Sequence, residues 1–216
     1  ALDRDLYLRI APELYLKRLL VGGFERVFEI NRNFRNEGLS TRHNPEFTML
    51  ELYRAYVDYT HIMELTETVL SEVYEELTGS TELEYDGTSI DLSTPWRRVQ
   101  LVDLVNEETG LAVSLDQPAD EILETARSKD IDVAPADTPG EQILEIFEEV
   151  VEDTIDEPTF VTNFPSEVSP LAKDDPDVEG TSERFELFVG GLEVGNAYSE
   201  LNDPDEQRRN FERQAD

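Results

Sequence analysis

Phe34-Arg35-Asn36-Glu37-Gly38, carried on after a short polar loop by Arg42-His43-Asn44-Pro45-Glu46-Phe47-Thr48-Met49-Leu50-Glu51, decides how this 216-residue chain is read. Apolar and polar residues alternate through Arg26–Arg35 and again through Glu46–Asp58. That period predicts two antiparallel strands around the Glu37–Pro45 loop. Taken singly, Arg35 and Glu37 make a surface ion pair, Phe47 a core residue and His43 a solvated loop histidine. Taken in order, the arginine beside a glutamate, the loop, the histidine and the phenylalanine suit a hairpin that handles a nucleotide.

A second constellation lies at Arg184-Phe185-Glu186-Leu187-Phe188-Val189-Gly190-Gly191-Leu192-Glu193-Val194-Gly195-Asn196-Ala197-Tyr198-Ser199-Glu200. Alternation broken by the two glycines predicts two strands and a turn. Regular alternation sends Glu193, Gly195, Ala197 and Ser199 one way, and Val194, Asn196, Tyr198 and Glu200 the other. Carboxylates and an amide carbonyl are the donors a hard cation such as Mg²⁺ takes.

The first stretch resembles the second signature motif of class II aminoacyl-tRNA synthetases. With Ile10-Ala11-Pro12-Glu13-Leu14-Tyr15 before it, the chain most resembles the lysyl-tRNA synthetase family. The resemblance implies an enzyme that activates lysine with ATP and transfers it to tRNA(Lys). Joining a carboxylate to the α-phosphorus brings two anions together, so the site must neutralise charge and hold the reactants in line. Arg35 would be the catalytic group, bridging an α-phosphate oxygen and the incoming carboxylate. Glu37 would accept from the adenine amino group, His43 would lie at the terminal phosphates, Asn44 would also bind ATP, and Phe47 would stack on adenine. Glu186 and Glu193 would be the Mg²⁺ ligands. A lysine ammonium needs acceptors at the far wall of its pocket and an apolar or aromatic lining along its stem. By family analogy those acceptors are Glu13, Tyr53 and Glu200, with Tyr198 on the stem, Glu51 at the α-amino group and Asn196 against substrate or metal. Regular alternation sets Asn196 opposite Glu193, so a twist or bulge is needed if both face one ligand.

The resemblance implies an α+β fold, an antiparallel sheet flanked by helices with a small helical insertion. The expected organisation is one discontinuous catalytic domain: a first core part with the hairpin over residues 1–99, the insertion over 100–156, and a second core part over 157–216. The family's first motif would precede Ala1 and its third would follow Asp216, so the chain reads as a central fragment, expected to be inactive in isolation. The full-length enzyme is expected to be a homodimer. Alternative readings are a paralogue that attaches lysine to a protein, and a non-catalytic module that kept the fold.

Asp and Glu number 50 against 18 Lys and Arg, a formal net charge of −32. Only Lys17, Lys129 and Lys173 are lysines. Residues 1–60 hold nine acids and nine bases, so the whole excess falls beyond the hairpin. Disorder is argued against by a hydrophobic fraction of 38% with ten Phe and eight Tyr. A carboxylate-rich, lysine-poor surface instead suggests a cytoplasmic, salt-adapted (halophilic) protein. There is no cysteine for disulfides or thiolate metal sites, and no apolar run of membrane-spanning length.

Elsewhere, the pattern predicts a strand at Leu6–Ala11, a helix at Pro12–Gly22, and a helix at Thr60–Leu77 with its apolar stripe on Ile62, Leu65, Val69, Val73 and Leu77. A hairpin is expected around Asp86-Gly87. Helices are expected at Leu101–Glu108, Ala119–Ser128 and Gly140–Asp153, and a strand at Pro158–Phe164. Irregular chain is expected over Asp174–Glu183, and a last helix capped by Asp203.

Overall fold

The computed structural model describes residues 3–40 and 43–215, with side chains through Arg213. Arg42 of the opening stretch lies outside the described residues. The chain divides into two compact units, residues 1–57 and 58–216.

The first unit is one helix on one hairpin. Helix α1 (Glu13–Val21) starts directly after Pro12, ends at Gly22 and buries Leu16. Strands β1 (Arg26–Phe34) and β2 (Glu46–Arg54) pair antiparallel from Arg26↔Arg54 to Phe34↔Glu46. Leu6–Ala11 is not a strand. It joins the hairpin through the Phe34 N–H on the Arg9 carbonyl at 2.9 Å, too sparse a ladder for a third strand.

The second unit opens with helix α2 (Tyr59–Thr78), where the Asp58 side chain accepts from the Thr60 and His61 N–H groups and Gly79 closes the end at φ 76°. Strands β3 (Glu82–Tyr85) and β4 (Thr88–Asp91) form the expected hairpin, with Asp86 and Gly87 both left-handed as a type I′ turn requires. Next come β5 (Arg97–Gln100), α3 (Leu101–Thr109), α4 (Ala119–Arg127), α5 (Pro139–Val150) and β6 (Thr159–Thr162). The last elements are β7 (Arg184–Val189), β8 (Leu192–Tyr198) and α6 (Pro204–Ala215). Thr138 and Glu141 form a capping box at the start of α5, with Pro139 as its first residue.

Strands β5-β6-β7-β8 make a sheet in that order, parallel at β5–β6 and antiparallel thereafter. Its two faces bury different clusters, because successive strand residues point oppositely. Val161, Phe164 and Phe188 join the core of α3, α4 and α5. Phe160, Phe185 and Leu187 pack with Met63 of α2 and Trp96. The fold is α+β, as expected.

The stripe on α2 departs from the reading. Met63 and Glu67 are its buried positions, while Val73 and Leu77 are 49% and 80% exposed. The Glu67 carboxylate accepts the Trp96 N–H and lies 3.6 Å from the Arg98 guanidinium, partners that no helical period can announce.

Candidate functional site

Register sorts the hairpin into two faces. Directly opposed residues share a face, so Val27 with Tyr53, Glu29 with Glu51, and Asn33 with Phe47 stand on one side. Phe28, Ile30, Leu50 and Leu52 stand on the other, where Phe28 is 71% exposed. Phe47, Glu51 and Tyr53, all singled out from sequence, therefore project from the same face. Arg35 follows β1 on the same odd-numbered series. Its backbone N–H reaches the Pro45 carbonyl at 3.0 Å, its Nε donates to the Ile10 carbonyl at 3.2 Å, and its guanidinium sits 5.2 Å from the Phe47 ring centre. A planar cation beside an aromatic face is a pairing that suits a nucleotide's phosphate and base.

Glu37, His43 and Asn44 are exposed in the loop beyond the strands. His43 is held by Ser40: the His43 N–H donates to the Ser40 hydroxyl at 3.0 Å, the Ser40 N–H to the His43 carbonyl at 3.1 Å, and the ring Nδ1 lies 3.0 Å from the same hydroxyl.

Glu13 occupies the first turn of α1 and pairs with Lys17 at 2.6 Å. The Lys17 ammonium also sits 5.6 Å from the centre of the Tyr53 ring, whose hydroxyl donates to Glu51 at 2.6 Å. Three residues picked separately from sequence are thus joined through a fourth that was missed. Its signal was the i,i+4 acid–base spacing from Glu13.

In the second unit the site residues lie on β7 and β8, and regular alternation fails there. Leu187 pairs with Gly195 but Phe188 pairs with Glu193, so Val194 is the extra residue of a β-bulge. Asn196 stands opposite Glu186 and Glu193 opposite Phe188. Glu186 and Phe188 are two apart on β7, so Glu186, Glu193 and Asn196 come to one face. The Asn196 amide donates to the Glu193 carboxylate at 2.8 Å. Tyr198, opposite Arg184, continues this face.

Arg184 was not singled out from sequence. It donates to Glu186, to the Val168 carbonyl and to the Ser169 hydroxyl, and its guanidinium lies 4.6 Å from the Phe164 ring centre. The Tyr198-Ser199-Glu200 segment is fastened by its middle residue. Ser199 donates its N–H to the Glu183 carbonyl, accepts the Lys173 N–H at its own carbonyl, and accepts the Tyr59 N–H at its hydroxyl. Glu200 forms a bridge with Ala172.

Burial pushes the Glu186 carboxyl up to about 7, a rise opposed by Arg184 and reinforced by the charge of Glu193. Two carboxylates and an amide oxygen on one face are hard donors of the kind Mg²⁺ takes, and a cation would relieve that repulsion. Among the described residues no group of three or more His, Cys, Asp or Glu could hold a metal alone, so water or phosphate oxygens would complete the shell.

The raised value has a stability consequence. Between the unfolded carboxyl's 4.5 and the folded 7, the folded state holds a proton that the unfolded state has released. Stability therefore falls as pH rises through that window and levels off above it. Glu186→Gln should remove this slope, gaining on the order of 3 kcal/mol relative to the parent between pH 4.5 and pH 8. Urea unfolding of both proteins across that range checks it, and parallel pH profiles would refute the assignment.

The whole chain, residues 1–216, matches the family model described as tRNA synthetases class II (D, K and N). It is 53% identical over 218 residues to a lysine–tRNA ligase of Pelotomaculum thermopropionicum and 51% identical over 216 to one of Syntrophomonas wolfei. It is 50% identical over 214 residues to one of Enterococcus faecalis. These matches cover 99–100% of this chain and 43–44% of the relatives, so the chain spans less than half their length. The chain that carries the bulged carboxylate strand pair and the arginine–phenylalanine hairpin belongs to the class II tRNA synthetases of the D, K and N group.

Proposed function

We propose that this chain is the central catalytic part of a lysine–tRNA ligase. The observation that carries the reading is the single hairpin face bearing Phe47, Glu51 and Tyr53, with the Arg35 guanidinium against Phe47. Identity of about half the residues to lysine–tRNA ligases supports lysine as the substrate within the D, K and N group.

In the reaction, a carboxylate oxygen of lysine attacks the α-phosphorus of ATP, pyrophosphate leaves, and lysyl-adenylate forms. A terminal hydroxyl of tRNA(Lys) then attacks the activated carbonyl and AMP departs. Arg35 binds the lysine carboxylate and an α-phosphate oxygen together, which orients the attack and offsets charge as it develops. Phe47 stacks on adenine and Glu37 accepts from its amino group, while His43 lies at the terminal phosphates and Asn44 also binds ATP. Glu186 and Glu193 would hold Mg²⁺, which would supply charge neutralisation at the phosphates. Glu13, Tyr53 and Glu200 receive the ammonium, Tyr198 lines the stem, Glu51 takes the α-amino group and Asn196 contacts substrate. The Ser199 fastening suits Glu200 to its role, because a strand end held on both sides keeps a carboxylate in place.

Residues 100–156 are assigned as an insertion within one discontinuous catalytic domain, the full-length enzyme as a homodimer, and its place as the cytoplasm of a salt-loaded cell. No helix among the described residues is long and apolar enough to cross a membrane. Pyrophosphate exchange into ATP, measured on the full-length protein with each amino acid, tests the reading. Lysine alone should support exchange. Exchange with aspartate or asparagine instead would overturn the substrate, and none with any amino acid would overturn the ligase.

A further inference from the structure

We propose that Lys17 is a positioning residue for the ammonium end of the lysine subsite, an inference resting on the assignment of Glu13, Glu51 and Tyr53 to that subsite. A Glu–Lys pair four apart on an exposed helix face is individually weak. This one differs because its cation does not serve the helix alone. The Lys17 and Glu13 side chains are only 27% and 34% exposed, and Nζ lies 2.6 Å from Glu13 Oε1. The same ammonium reaches off α1 to the ring of Tyr53 on β2, and Tyr53 in turn donates to Glu51 on its own strand. One cation therefore ties a helix carboxylate to an aromatic ring whose hydroxyl is tied to a second carboxylate.

The chemistry of the arrangement follows from what the subsite must do. Acceptors gathered to receive a cation repel one another before it arrives and swing apart. A resident ammonium prevents that. Lys17 meets Glu13 through Oε1, whereas a carboxylate accepts at both oxygens, so Glu13 held by Lys17 keeps capacity for a second ammonium. A guanidinium would instead span both oxygens. The chain uses arginine for fifteen of its eighteen basic residues, and position 17 is one of three exceptions. Lys17 thus presets the Glu13 and Tyr53 side chains for the substrate ammonium without closing the acceptor it holds.

The test is lysine-dependent pyrophosphate exchange by the full-length enzyme, comparing the parent with Lys17→Met and Lys17→Arg. Lys17→Met should raise the KM for lysine about tenfold, the loss expected when a charge-assisted hydrogen bond no longer holds an acceptor. Its kcat should stay within about twofold and its KM for ATP unchanged, because the Arg35 end of the site is untouched. Lys17→Arg, which keeps the charge but can cover both oxygens, should fall between the two. An unchanged lysine KM in Lys17→Met overturns the proposal. So do parallel losses in lysine KM, ATP KM and kcat, which mark a merely structural residue, and a Lys17→Arg enzyme no better than Lys17→Met. A parent enzyme with no lysine-dependent exchange sinks the ligase reading and this inference together, whereas normal parent exchange with an indifferent Lys17→Met sinks this inference alone.

Discussion

Replacing Arg35 by alanine in the full-length protein should lower lysine-dependent adenylate formation by about a thousandfold or more while leaving the fold intact. The magnitude follows from the chemistry: one preorganised donor aimed at developing charge is worth about 10²–10³ in rate, and in the proposed role Arg35 would serve two anions at once. In the proposed role its guanidinium would bind a carboxylate oxygen and an α-phosphate oxygen that repel in its absence, so both orientation and charge compensation would go with it. The structural cost is small by comparison. Arg35 donates to the Ile10 carbonyl and lies against Phe47, contacts of a half-buried side chain worth about 1 kcal/mol each. Unfolding midpoints should therefore barely move. Arg35→Lys sharpens the result: it keeps the charge but not the bidentate fork, and should recover only a minor part of the rate. Single-turnover adenylate formation at saturating ATP and lysine is the measurement. Activity above a tenth of the parent's in Arg35→Ala would remove Arg35 from the centre of the mechanism.

The hairpin that carries Arg35 was legible because everything that makes it is local. Its alternation, its loop and its register involve neighbours in sequence, and β1 and β2 end within four residues of where the pattern placed them. The Asp86-Gly87 turn and the cap at Asp203 were legible for the same reason. Other parts depended on distant partners. Strand β5 is four residues with two arginines, and only its parallel pairing with β6, nearly sixty residues on, makes it a strand. Glu67 is buried because Trp96 and Arg98 meet it, which a helical wheel cannot show.

The second half of the candidate site was legible as a contradiction. Alternation put Glu193 and Asn196 on opposite faces, so a shared ligand demanded a bulge somewhere between them. The register shift at Val194 is that bulge. The sequence could demand it but not locate it, since the shift is defined by which β7 residue each β8 residue meets. Lys17 shows the same limit: its spacing from Glu13 is visible along the helix, whereas its approach to Tyr53 exists only once α1 lies on the hairpin.

Salt should produce the largest change in stability. Residues 58–216 hold 42 acids and nine bases, a net charge of −33, whereas residues 1–57 carry +1. Even if every base paired with one acid, 33 carboxylates would remain without a cationic partner. Their repulsion favours expansion, and screening governs it: the Debye length is about 10 Å at 0.1 M salt and about 3 Å at 1 M. Raising KCl from 0.1 to 2 M should lift the unfolding midpoint by at least about 10 °C, which at 2–4 °C per kcal/mol is several kcal/mol for a chain of this size. At millimolar salt, cooperative unfolding should be lost. Sucrose at matched osmolality separates the causes, because it strengthens apolar burial without screening charge and should recover little of the gain. A midpoint flat or falling with KCl, or raised equally by sucrose, would refute charge screening as the stabilising factor. On the proposed function the near-neutral balance of residues 1–57 then acquires a reason: ATP is itself a polyanion, and the segment carrying Arg35 and Phe47 is the one on which an acidic excess would weaken its binding as well as the fold.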